Sequence, residues 1–173
     1  MSEIKRQLKG NLGMFLVCAK LSELNLIAMP TIRNTQGYDI IALNPESNGA
    51  VGIQVKTTNQ PQKGFLVLST HWRSYQAMVE EKIVAPFVFV DISELDKPAY
   101  FILSKEDLKR TLKSAIARYV SDYQQRHSLS WEEMLEKEQR EKRKPNAWAL
   151  FLSDIKNYQN NWQAITGATL VRG

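Results

Sequence analysis

One cysteine, Cys18, in 173 residues excludes an intramolecular disulfide and suits a reducing cytoplasm. Two histidines, His71 and His127, with that one cysteine cannot assemble a zinc centre of the His/Cys kind. Long apolar runs are missing. The longest, Ile83-Val84-Ala85-Pro86-Phe87-Val88-Phe89-Val90, falls far short of a membrane span, so no membrane partner is expected. The start, Met-Ser-Glu-Ile-Lys-Arg, has no apolar core of a secretory signal, which again points to the cytoplasm. No internal repeat is visible.

What is there is ordinary for a globular protein: 43% hydrophobic and 24% charged residues. The length fits one domain, or one domain with an appendage, and suffices to bury a core. A net charge of +5 and a sequence pI of about 9.3 permit contact with a polyanion such as DNA without requiring it.

Residues 3–25 carry helical periodicity. Ile4, Leu8, Leu12, Phe15 and Ala19 form one stripe, and Met14, Val17, Leu21 and Leu24 a second. Two apolar sides predict a helix buried between layers. Gly10 and Gly13 each cost about 1 kcal/mol of helix propensity against alanine. Close packing on a sheet would explain both. Residues 27–32 read as an edge strand, because Pro30 cannot donate to a ladder. A strand at 65–68, a helix at 71–82 capped by Ser69 or Thr70, and paired strands at 86–92 and 100–103 follow. Further on, Ser104 caps a helix with acids in its first turn, and Ser130-Trp131-Glu132-Glu133 is a capping box. The run 136–144 is mixed in sign and reads as a solvated helix face, with a phosphate-contacting tail as the sharper option. Trp148, Leu150, Phe151, Ile155, Tyr158 and Trp162 predict a last helix packing on the core. Trp72, Arg73 and Tyr75 could stack on bases, though such residues more often close the end of a core. Cys18 reads as a small core residue.

The most informative stretch is Gly37-Tyr38-Asp39-Ile40-Ile41-Ala42-Leu43, followed by Ile53-Gln54-Val55-Lys56-Thr57-Thr58. A side-chain period of two puts Val51, Ile53 and Val55 on one face and Gln54 with Lys56 on the other. Asp39 then shares a face with Ile41 and Leu43, while Tyr38, Ile40 and Ala42 point away. Pairing through the turn 44–49 would gather a carboxylate, an amide and an ammonium at one sheet edge. Taken without chemistry, Asp39 is a turn residue bonding its own backbone, and Gln54 and Lys56 are the wet face of an edge strand.

The helix with Gly10-Asn11-Leu12-Gly13, the stretch Asn34-Thr35-Gln36-Gly37-Tyr38-Asp39 and the tripeptide Gln54-Val55-Lys56 resemble the PD-(D/E)xK nuclease superfamily over roughly the first half of the chain. The resemblance implies an α/β, restriction-endonuclease-like fold: a mixed central sheet flanked by helices. It implies metal-dependent hydrolysis of DNA phosphodiesters, an endonuclease. Asp39 becomes a magnesium ligand, Val55 offers its carbonyl, and Lys56 stabilises charge or positions water. Gln54 stands where relatives hold an acid. The helix glutamate of many relatives is replaced by Met14 and Phe15, and Glu46 in the turn is the nearest substitute. Lys63, Arg73 and Arg33 are the basic residues expected on DNA. The core is placed at 1–104, with a helical extension at 105–173 packing on it. Two alternatives stand beside the enzyme. One is an inactive nuclease fold that binds DNA or protein. The other is an interaction module whose helical second half makes the contact, as a homodimer or with another protein.

Overall fold

Apolar residues at helical spacing build α1 (Glu3–Glu23). The computed structural model describes residues 3–31, 37–141 and 144–170, with side chains from Lys5 onward. Asn25, at φ 58°, takes the left-handed conformation that ends the helix. The amides of Asn25 and Leu26 close onto the carbonyls of Ser22 and Leu21, each at 3.0 Å. The chain then turns into β1 (Ile27–Pro30), followed by β2 (Ile40–Leu43) and β3 (Ala50–Thr58).

Next come β4 (Phe65–Thr70), α2 (Tyr75–Lys82), β5 (Phe87–Asp91), β6 (Ala99–Leu103) and α3 (Lys105–His127). The chain closes with α4 (Trp131–Arg140), β7 (Asn146–Leu150), α5 (Leu152–Ile155) and α6 (Gln163–Leu170). The central sheet has the order β1-β2-β3-β5-β6, with β3 and β5 parallel and every other pair antiparallel. One face packs Ile40, Ile53, Val88 and Ile102 under Val17 and Leu21 of α1 and Ile165 of α6. The other packs Phe87, Phe89, Phe101 and Leu103 under Leu108, Leu112 and Ile116 of α3. Strand β5 is therefore buried on both faces, which is why its sequence runs apolar without alternation. The protein is a mixed α/β fold with helices on both sides of its sheet. Among the described residues no helix is long and apolar enough to cross a membrane.

Several expectations need correction. Only one stripe of α1 is covered, because α1 packs on the β1–β3 part of the sheet and no described layer lies outside it. Val17 and Leu21 are fully buried, while Leu8 is 62% and Phe15 58% exposed. Gly13 does serve close packing: a β-carbon there would stand 1.8 Å from Thr57 Oγ1 on β3. Gly10 does not, since nothing lies within 4 Å of such an atom. The helix expected from residue 71 starts at Tyr75, after a 3₁₀ turn at Trp72–Ser74.

The largest departure is β7. Residues 146–150 form a strand, not the start of a helix, and pair antiparallel with β4 in a separate two-stranded sheet. Trp148 and Leu150 alternate inward with Ala147 and Ala149 between them. Only from Leu152 does the chain turn helical, and then in short pieces. Nor is the charged run wholly solvated. Glu138 is 4% exposed, accepts from the Trp72 amide at 3.1 Å and lies 3.2 Å from His71 Nδ1. Trp72 is itself a core residue against Tyr123. The caps at Ser104 and Ser130 form as read, each side chain accepting the amide three residues on.

On the surface, Glu80 of α2 is hydrogen-bonded by both Lys109 and Lys113 of α3. These two ammonium groups hold its carboxyl down at about 2. A depressed folded-state value adds stability above the unfolded value, and that stability is lost as pH falls through the folded one. Thermal scans between pH 5 and pH 2 should therefore show a steeper acid loss in the wild type than in Glu80→Gln. Parallel curves would mean that the clamp contributes nothing.

Candidate functional site

The β2–β3 ladder starts at the turn with Leu43 opposite Ala50 and ends with Ile40 opposite Ile53. One residue further, the Asp39 amide still donates to the Ile53 carbonyl at 2.8 Å. There the main-chain ladder stops, and the next donor on that edge, the Val55 amide, has lost its strand partner. The Asp39 side chain replaces it: Oδ2 accepts from Val55 N at 2.7 Å. A charged acceptor on a backbone amide makes a strong bond of this type. In a strand, a residue's N–H and C=O point to the same neighbour. The Gln54 amide goes to Pro86 on the β5 side at 3.0 Å, so the Val55 carbonyl points to the Asp39 side.

Gln54 and Lys56 stand on the other face from Ile53, opposite Phe87 and Phe89 of β5. Lys56 Nζ lies 5.9 Å from the centre of the Phe87 ring. Burial lowers the pKa of this ammonium, and the nearby Asp39 charge opposes that shift without a direct ion pair. A partly desolvated lysine beside a carboxylate is the kind of group that binds a phosphate charge strongly when one arrives.

The face assignment of Tyr38 needs correction. It does not point away from Gln54; its ring lies over Gly52, where a β-carbon would stand 2.2 Å from a ring carbon. The alternation fails because Asp39 sits in a bend before β2 and not within it. Tyr38, Gln54 and Phe87 line a cleft of about 670 Å³ whose other wall is α2, with Glu81 and Lys82. Asp39 and Lys56 do not line this cleft, but both retain partial exposure. The cleft is therefore a neighbour of the cluster and not its whole extent.

Glu46 is ruled out as a substitute acid. It lies in the hairpin turn beside Asn44, whose side chain accepts its amide at 2.9 Å. The turn is at the Leu43 end, about 10 Å along the ladder from Ile40. Among the described residues no group of three or more His, Cys, Asp or Glu side chains gathers as a metal cage. Lys63 is exposed in the 3₁₀ turn Pro61–Lys63, just past the end of β3. Arg73 is exposed in the turn before α2, and Arg33 lies outside the described residues. A basic residue that the sequence reading missed is Lys9, whose Nζ reaches Asn59 at 3.4 Å, also past β3. Its signal was present: Lys9 is one helical turn before Gly13, the residue seated on Thr57.

Because Val55 N depends on Asp39, the two obvious substitutions should separate. Asp39→Ala leaves a part-buried amide without its acceptor and should cost about 2 kcal/mol in urea unfolding. Asp39→Asn keeps an oxygen there and should cost less than half of that. Equal losses would show that the acceptor is not structural.

Compared with known proteins, the chain matches no family model, and no curated protein gives a significant match.

Proposed function

We propose that the chain is a nuclease-like protein of the restriction-endonuclease-like kind, hydrolysing DNA phosphodiesters with a weakly held magnesium ion. The observation that carries this reading is the Asp39 carboxylate bound to the Val55 amide at 2.7 Å, on the strand that also presents Gln54 and Lys56. A plain sheet edge needs no acid, amide and half-buried ammonium together. The mixed sheet with helices on both faces agrees with that fold at the level of its layers.

Magnesium favours hard oxygens and is commonly held by one or two carboxylates plus water and substrate. The second oxygen of Asp39, the Gln54 amide oxygen and the Val55 carbonyl fit that minimum. When bound, the ion would lower the pKa of a water and polarise the phosphate. Lys56 holds a positive charge where the scissile phosphate gains negative charge. Gln54 orients through its amide and adds no charge. Lys9 and Lys63, past the end of β3, hold the flanking backbone.

Supercoiled plasmid incubated with magnesium or manganese tests this. The wild type should nick it, and Lys56→Ala should lose at least about a hundredfold in rate. Equal nicking by both would remove the activity from this site. A second reading is a nuclease fold that binds DNA or a protein without cutting. It is favoured by the single carboxylate of the cluster and the neutral Gln54. It expects retarded DNA in a gel shift and no nicking with either metal.

A further inference from the structure

Residues two apart on β3 stand on one face of the sheet, about 7 Å from each other. On the face away from α1 this row runs Gly52, Gln54, Lys56. Gly52 has no side chain, and the Tyr38 ring takes the place of one. A β-carbon there would stand 2.2 Å from one ring carbon and 2.6 and 2.7 Å from the two beside it. Near-equal distances to both neighbours put that point over the face of the ring and not off its edge. The ring therefore lies flat on the glycine. Glycine weakens a strand, and a close approach of this kind is what it permits. The Tyr38 carbonyl accepts from the Thr31 hydroxyl at 2.8 Å, which fixes the ring's position before anything binds.

Tyr38 stays half-buried and lines the cleft of about 670 Å³ together with Gln54 and Phe87. One face of its ring is on the sheet, so the other turns to the side where α2 and β4 stand. The charges on the cleft wall cancel, because Glu81 and Lys82 pair with each other at 2.7 Å. A neutral, largely apolar slot does not draw in a phosphate. The free positive charge lies just outside it, where Lys56 Nζ is 5.9 Å from the centre of the Phe87 ring. Ring, amide and ammonium thus follow one another along β3. A nucleotide carries the matching groups: a flat base, a hydrogen-bonding base edge and a phosphate.

We propose that this cleft takes one unpaired DNA base beside the phosphate held by Lys56, which makes DNA with unpaired nucleotides, and not continuous duplex, the substrate class. The inference rests on the reading of the Asp39–Lys56 cluster as a DNA site. The base stacks on Tyr38, as bases do on aromatic platforms. The Gln54 amide N–H groups meet its edge and leave the amide oxygen for the metal. A base inside the double helix satisfies neither demand, since its faces are stacked and its edge is paired. Supercoiled plasmid still qualifies, because negative supercoiling favours strand opening.

Fluorescence anisotropy in EDTA separates binding from cleavage. The full chain is titrated with three labelled DNAs of one sequence: a single strand, a duplex with one unpaired nucleotide, and a continuous duplex. The first two should bind at least about fivefold more tightly than the third. Tyr38→Leu should weaken those two about five- to a hundredfold and leave the third unchanged, while Tyr38→Phe binds like the wild type. Ser69→Leu narrows the cleft from β4 without touching the ring; it should show the same selective loss, and it serves if Tyr38→Leu does not fold. The proposal is overturned if none of the three DNAs binds, if the continuous duplex binds as tightly as the others, or if the folded variants bind like the wild type. Plasmid nicking that depends on Lys56 would then still stand, with continuous duplex as its substrate. Selective binding that Tyr38→Leu removes, in a protein that nicks nothing, supports the cleft and removes the cleavage reading instead.

Discussion

Lys56→Met should abolish plasmid nicking and, in the same protein, raise stability by about 1 kcal/mol. Methionine keeps most of the length of the side chain and removes the charge. In the wild type, burial lowers the pKa of the ammonium, so the folded state is penalised for keeping it charged. The sign follows from proton counting. Between the folded and unfolded values the unfolded chain binds more protons, so wild-type stability climbs with pH through that window. Below the window both states are protonated and the whole penalty is present. Lys56→Met should therefore be more stable at neutral pH and should lack the upward drift toward alkaline pH. Urea unfolding at several pH values measures both. A lysine that served only as a wet edge residue would show neither gain nor drift. Loss of activity with gain of stability is the signature of a group kept for chemistry at a structural cost.

Gly13→Ala should be strongly destabilising, costing about 3 kcal/mol and roughly 6–12 °C in melting temperature. The added carbon would stand 1.8 Å from Thr57 Oγ1 and 2.8 Å from Thr57 Cβ, so moving the hydroxyl alone does not relieve it. Either α1 lifts off or β3 shifts, and β3 carries Lys56 and Gln54 only one and three positions from Thr57. The loss should therefore reach activity as well as stability. Gly10→Ala is the internal control. It lies on the same helix with nothing within 4 Å of the new atom, so alanine's helix propensity should stabilise by about 1 kcal/mol. Opposite signs at two glycines three residues apart would come from the sheet contact. The same sign at both would mean that α1 does not sit on Thr57.

The sequence was most readable where local rules govern. The period of two separated Ile53 and Val55 from Gln54 and Lys56, and the packing follows it. The caps at Ser104 and Ser130 need only the four residues that form them. The pairing of β2 with β3 needs only a short turn. What could not be read depends on distant partners. Strand β7 satisfies a helical spacing as well as a strand one, and only β4, some eighty positions earlier, decides between them. Glu138 reads as one charge in a solvated run until the Trp72 amide, 66 positions away, takes its carboxylate. Tyr38 follows its strand's alternation on paper, but the bend at Asp39 turns its ring over Gly52. At the cluster itself, composition and order were visible. The use of Asp39 as a stand-in for a missing ladder carbonyl was not, since nothing local shows where β2 stops.

A crystal grown in manganese, with data collected at the manganese absorption edge, most directly tests whether Asp39, Gln54 and Lys56 form a phosphodiester-cleaving centre. The expected result is an anomalous peak touching the Asp39 carboxylate and the Val55 carbonyl, absent from an Asp39→Asn crystal treated alike. An empty position at saturating manganese, or a peak unchanged by that substitution, would contradict it.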